Sequence, residues 1–269
     1  MKAYLDTNIL RQLKKIPETS EIELVCSQLG IMEIISGMTS EREYNIRRAA
    51  LSNILTRNVS IIWESTLTMQ SKAFALNYSD YDVPATQMLM NEIIKTESFS
   101  EAEKISISLG GNAYTIDTFT QHDKALVDDS VATFRMTLST QKDDRKFLRD
   151  NPYTPAIIRV QSEMTIVSFL NSLGIEKFTP QYMDSIKHYS KFKPLTNYLY
   201  ALTAYTFDAM ANGNQPGEND GHDIAHLVYA DGVDLFISND RIYQRLQKDL
   251  FTVDFLKLEE FIEKYFTEK

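Results

Sequence analysis

Over residues 1–64 the apolar residues fall in short continuous runs separated by amphipathic stretches, the pattern of strands alternating with helices. "KAYL" predicts a strand ending at Asp6, and "DTNILRQLKK" a polar turn into a helix. "IELVCS" predicts a buried strand, "QLGIMEIISGM" a short helix stopped near Gly37, and "VSIIW" a third strand. Before that third strand, Ser40-Glu41-Arg42-Glu43 has the form of a capping box, in which Ser and Glu satisfy each other's free backbone N–H groups. The helix it opens puts Tyr44, Leu51, Ile54 and Leu55 on one face.

Between residues 65 and 213 the strand pattern gives way to helical periodicity in roughly six or seven segments. Phe99, Ala102, Ile105 and Leu109 form one stripe, closed by Gly110-Gly111. "PAIIRVQSEMTIVSFLNSLG" and "PLTNYLYALTAYTFDAMANG" each begin with Pro and end with Gly, the expected start and stop chemistry of a helix. No fixed-period repeat runs through this stretch. After the turn-rich "NGNQPGEND" the alternation returns. "HDIAHLVYA" is helical, "VDLFIS" a strand, "DRIYQRLQKDL" a helix, "FTVDFL" a strand and "LEEFIEKYF" a final helix. Strands separated by helices imply parallel crossovers and a sheet covered on both faces. The expected fold class is therefore α/β, a three-layer α/β/α sandwich with a parallel sheet. Residues 1–64 and 214–269 build it, and residues 65–213 form a large all-helical insertion.

Composition changes this picture little. The 269 residues are 43% hydrophobic and 24% charged, enough to build a sizeable core. The single Cys26 has no disulfide partner within the chain, and no Cys/His cluster has zinc spacing. No apolar run reaches the ~18 residues of a membrane span. The chain also opens on strand-like sequence rather than a basic leader, so a cytoplasmic protein is expected. The net charge of −9 argues against nucleic-acid binding, because phosphate contacts want Lys and Arg. That argument reverses if the acids hold divalent cations.

The acids are therefore the candidate chemistry. In an open parallel sheet, ligands gather beyond the carboxyl ends of the strands. Asp6 follows the first strand, Asp240 follows "LFISN", and Glu33 lies about a turn into the helix after the second strand. Asp223 sits in the first turn of the helix leading back to the sheet, where a cap is the competing explanation. Asp234 begins its strand and belongs to the opposite end. Converging carboxylates repel one another and raise their own pKa unless a cation is present. Hard oxygen donors without a Cys or His requirement select Mg²⁺ or Mn²⁺.

"YLDTNIL", "SQLGIMEIISG" and "DIAHLVYADGVDLFISNDR", in this order and on these elements, resemble the successive motifs of the PIN-domain family. The resemblance implies a metal-dependent, mostly RNA-cleaving nuclease on a five-stranded parallel sheet. It implies Asp6, Glu33 and Asp240 as acids of the site, with Ser238 in the Ser/Thr place before the last. For the fourth acid, Asp223 fits a D-x-x-H pattern with His226, while Asp220 fits a stricter spacing to Gly232; Asp223 is preferred. All four are expected as catalytic residues and metal ligands, with Asn8 and Ser238 holding those carboxylates or their waters. His226 is a candidate phosphate contact or ligand, against the plain alternative of a hydrogen-bonded core histidine. Lys187 and Lys191, interleaved with aromatic residues in "IKHYSKFK", are candidate phosphate contacts for a single strand.

The function expected is hydrolysis of nucleic acid, RNA ahead of DNA, by a carboxylate-bound Mg²⁺ or Mn²⁺ site. The alternative is a non-catalytic, PIN-like RNA-binding or assembly module that works through its helical insertion. The resemblance also leaves room for a homodimer and for a protein inhibitor or antitoxin as partner.

Overall fold

The computed structural model describes residues 1–18, 21–78, 82–140, 144–246 and 248–267. Chain order begins with β1 (Lys2–Leu5), α1 (Thr7–Leu10), β2 (Glu23–Ser27), α2 (Gln28–Ser36), α3 (Glu41–Thr56) and β3 (Ser60–Ile62). Helices α4 (Thr66–Ala73), α5 (Asp82–Ile93) and α6 (Phe99–Ala102) follow, then β4 (Ile107–Leu109) and β5 (Asn112–Tyr114). Five more helices come next: α7 (Ile116–Thr140), α8 (Arg145–Asp150), α9 (Pro155–Ser172), α10 (Pro180–Phe192) and α11 (Thr196–Asn212). The chain closes with α12 (Asp220–His226), β6 (Leu235–Ile237), α13 (Ile242–Arg245), β7 (Asp254–Leu256) and α14 (Leu258–Phe266).

Five strands form one parallel sheet in the order β3-β2-β1-β6-β7. Successive residues of a strand point to opposite faces. In β1 the consecutive Ala3, Tyr4 and Leu5 are all buried, as are Leu235, Phe236 and Ile237 of β6. Both faces of the sheet centre are thus covered, which is compatible with the expected three-layer arrangement. From β1 the chain builds outward through β2 and β3, then returns to the other side of β1 with β6 and β7. The boundary between β1 and β6 is the switch point of the sheet, and Asp6 and Ser238-Asn239-Asp240 leave the sheet there.

The helices between β3 and β6 share the core of the sheet. Phe74, Leu89, Phe119 and Leu199 belong to one hydrophobic cluster with Tyr4, Ile35 and Phe236. Helix α7 packs on α2, and α11 packs on the 3-10 turn Leu227–Gly232 that feeds β6.

Local sequence explains most boundaries. Ser40 caps α3, accepting from the Glu43 N–H at 3.3 Å, while the Glu43 carboxylate pairs with Arg47 instead of returning to the Ser40 backbone. Thr154 and Thr179 cap α9 and α10, each with Pro in the first turn.

The stretch between β3 and β6 is not all-helical as expected. The stripe Phe99, Ala102, Ile105, Leu109 is helical only to Ala102, and residues 107–114 form an antiparallel hairpin. Gly110 and Gly111 both take positive φ (57° and 84°), the two-residue turn that matches strand twist. Ile107 and Leu109 alternate with Ser106 and Ser108, so a period of two overrides the helical spacing. The helix expected over "DRIYQRLQKDL" is also shorter, with α13 ending at Arg245.

Candidate metal centre

Asp6 is the first residue past β1, and its extended backbone starts α1. Its Oδ1 accepts from the Thr7 N–H at 2.6 Å, so the residue caps the helix as well as facing the cleft. Its Oδ2 accepts from Ser238 Oγ at 2.6 Å and from Asn8 Nδ2 at 2.9 Å. The Asn8 amide also donates to Asp240 Oδ2 at 2.5 Å, and the Asp240 N–H donates to Ser238 Oγ at 3.0 Å. Asn8 and Ser238 thereby bridge the two acids at the ends of β1 and β6.

Glu33 reaches the same point from α2. Thr7 Oγ1 donates to its Oε2, which also lies 3.0 Å from His226 Nε2. Helix α2 comes this close because Gly30 faces α1: a Cβ there would stand 3.3 Å from Leu10 Cδ1 and 3.4 Å from Thr7 Oγ1.

His226 is 1% exposed and lies behind the carboxylates. Its Nδ1 is 2.7 Å from Tyr4 OH, which is 2.6 Å from Ser27 Oγ, and its Nε2 is 3.5 Å from Asp6 Oδ1. A ring so enclosed has no surface to offer a phosphate. The structure places it as a partner of Asp6 and Glu33, not as a contact for substrate. Ligand atoms of Asp6, Glu33 and His226 all lie within 4.8 Å of one another, close enough to hold one metal ion.

Asp223 and Asp240 join Asp6 and Glu33 along a cleft of ≈ 230 Å³. Asp220 is elsewhere engaged: its Oδ2 accepts from Tyr205 OH at 2.5 Å and from the Gly217 N–H at 2.8 Å. Asp231 accepts from the Thr196 and Asn197 N–H groups at the start of α11. Asp234 accepts from the Lys2 N–H at 2.7 Å, at the far end of the sheet. Neither Lys187 nor Lys191 lines the cleft; both are exposed on α10. The aromatic partner between them, Tyr189, is buried and stacks on Phe74.

Electrostatics reflect the crowding. Burial, with Asp6 and Asp240 adding to it, pushes the Asp223 carboxyl up to about 8. Burial likewise lifts Asp6 to about 7; Glu33 and Asp240 reinforce it, and the His226 charge and Ser238 oppose it. For Glu33 burial acts upward, but the His226 charge and hydrogen bonds from His222, His226 and Thr7 outweigh it and hold the carboxyl well below its usual range. Burial opposes the His226 charge, yet Glu33 and Asp6 raise the ring to about 9.

Six cleft residues went unseen in the sequence: Thr7, Arg11, Arg47, Asp123, Asn219 and His222. Thr7 and His222 adjoin predicted acids, and their neighbourhood was a usable signal. Arg47 and Asp123 lie on α3 and α7, far in sequence from any motif, and only packing brings them in.

The donor set suits a divalent cation, with carboxylate oxygens from Asp6, Glu33, Asp223 and Asp240 and one imidazole. Burial raises Asp6 and Asp223, and the neighbouring acids add a repulsion that a cation would relieve. No helix among the described residues is long and apolar enough to cross a membrane. No protein-family model, no curated protein and no solved structure matches this chain.

Proposed function

We propose that this chain is a Mg²⁺- or Mn²⁺-dependent phosphodiesterase acting on nucleic acid. Single-stranded RNA comes ahead of DNA, as the resemblance to PIN-domain nucleases implies. The observation that carries the reading is the meeting of Asp6, Glu33 and His226 within 4.8 Å, with Asp223 and Asp240 on the same cleft at the switch point of a parallel sheet.

A divalent cation bound here lowers the pKa of a water and neutralises charge that develops on the phosphodiester. The protein's part is to hold the acids against their repulsion. Asn8 and Ser238 fix Asp6 and Asp240 in register, and Thr7 fixes Glu33. His226 presents Nε2 to Asp6 and Glu33. Ligation by that nitrogen requires the ring proton on Nδ1, donated to Tyr4 OH, with the Tyr4 hydroxyl in turn donating to Ser27. Arg11, exposed on the same cleft, supplies positive charge for a phosphate chain that the acids would otherwise repel.

The test is cleavage of fluorescently labelled single-stranded RNA and DNA in Mn²⁺, Mg²⁺ or EDTA. Wild type should cut only with metal, and Asp6→Asn and Asp240→Asn should each lose about 100-fold or more. Binding without cleavage in every metal would favour a non-catalytic RNA-binding module. Neither binding nor cleavage would end the nucleic-acid reading.

A further inference from the structure

Glu33 is gripped on its second oxygen as well as its first. His222 Nδ1 lies 3.5 Å from Glu33 Oε1 and 3.5 Å from Asp123 Oδ1, on the opposite side from the His226 contact. Asp123 belongs to α7, in the helical stretch between the sheet strands, and α7 lies along α2, which carries Glu33. Both His222 and Asp123 line the carboxylate cleft. Asp123 Oδ1 and His222 Nε2 are buried without a hydrogen-bond partner. Orphaned polar groups are costly in a folded protein, and their persistence calls for a role. A single Nδ1–H serves only one of the two flanking oxygens at a time. The ring therefore stands between Glu33 and Asp123 as a shared, charge-attracting wedge. Asp123 and His222 fall outside the Asp6, Glu33 and His226 set whose ligand atoms meet within 4.8 Å, and the His222 ring faces it through Glu33 Oε1, with Asp123 on the ring's other contact.

We propose that His222 and Asp123 are positioning residues that hold Glu33 Oε1 in place for the cation, making helix α7 part of the site. The inference rests on the reading of Glu33 as a metal ligand. Without the pair, Glu33 keeps its Thr7 and His226 contacts at Oε2 but can swing its other oxygen away from the ion. Partners of this kind tune metal affinity more than they hold the fold together.

The experiment is calorimetric titration of the full chain with Mn²⁺ at neutral pH, beside a thermal melt in EDTA. Asp123→Ala and His222→Leu should bind Mn²⁺ about 10–100-fold more weakly, with EDTA melting temperatures close to wild type. His222→Gln, whose amide carries two donors, should recover most of the affinity. Unchanged Mn²⁺ affinity in Asp123→Ala and His222→Leu would overturn the proposal while leaving the metal reading intact. A His222→Gln protein as weak as His222→Leu would assign the effect to packing and overturn it too. Wild type that takes up no Mn²⁺ would instead remove the metal reading on which the proposal stands.

Discussion

Three residues at the site, Asp6, Asp223 and His226, make its charge state a function of pH. Asp6 and Asp223 rise to about 7 and about 8, so in the folded state each gives up its proton only against burial and its neighbours. A carboxyl with a raised folded pKa makes the native state less stable as pH climbs from its unfolded value through its folded one. His226, raised to about 9, contributes stability below its unfolded value and loses it as pH passes its folded one. Both trends point the same way, and the depressed Glu33 acts only at much lower pH. In EDTA the melting temperature is therefore expected to fall from about pH 4, where the two Asp groups ionise in the unfolded chain, to about pH 9. Mn²⁺ should reverse the trend, its affinity rising across the same window as protons leave the ligands. A flat profile in EDTA would mean that the acids do not meet. Tyr4→Phe gives a second test, since it removes the hydroxyl shared by His226 and Ser27. Leaving the buried ring nitrogen unpaired should cost about 1–3 kcal/mol in urea unfolding.

At the scale of elements, the structure depends on two close approaches. Helix α11 follows Leu195, whose apolar side chain cannot cap it, and Asp231 supplies the cap from the turn before β6. Asp231→Ala should cost about 1–2 kcal/mol by denaturant midpoint, whereas Asp234→Ala, removing one exposed contact, should cost less. Gly30 lets α2 lie against α1, and Gly30→Val should destabilise by about 1–3 kcal/mol through overpacking against Leu10. Wild-type stability in Gly30→Val would show the two helices to be looser than described. Element boundaries were legible wherever caps and Pro or Gly punctuate the chain, as at Ser40, Thr154 and Pro180. They were misread at residues 105–109, where alternation and helical spacing coincide over too few residues to be told apart.

On the scale of the molecule, the sheet and the long helical stretch share one core. A chain in which residues 66–212 are replaced by a short linker would expose the partners of Phe74, Leu89 and Leu199. It is expected not to unfold cooperatively in a thermal melt monitored by circular dichroism. A sharp two-state transition in that chain would instead mark the stretch as a separable domain. The same packing carries Asp123 into the cleft, so loss of the stretch would also weaken metal binding.

Sequence by itself determined the alternation of strand and helix at both ends of the chain. It also placed Asp6, Glu33, Asp223 and Asp240 near the ends of elements, since periodicity and strand-end position are local properties. It left Asp220 and Asp223 as rivals, because capping and cleft roles share the same local pattern. The fold separates them, turning Asp220 to Tyr205 and Asp223 to the cleft. Only tertiary structure decided that β6 returns beside β1, which joins Asp6 to Ser238 and Asp240 across more than 230 residues. It also decided that His226 lies buried behind the acids and that Asp123 arrives from α7. The reason is physical: burial and long-range packing depend on the whole surface the chain removes from water, and no window of sequence contains that quantity.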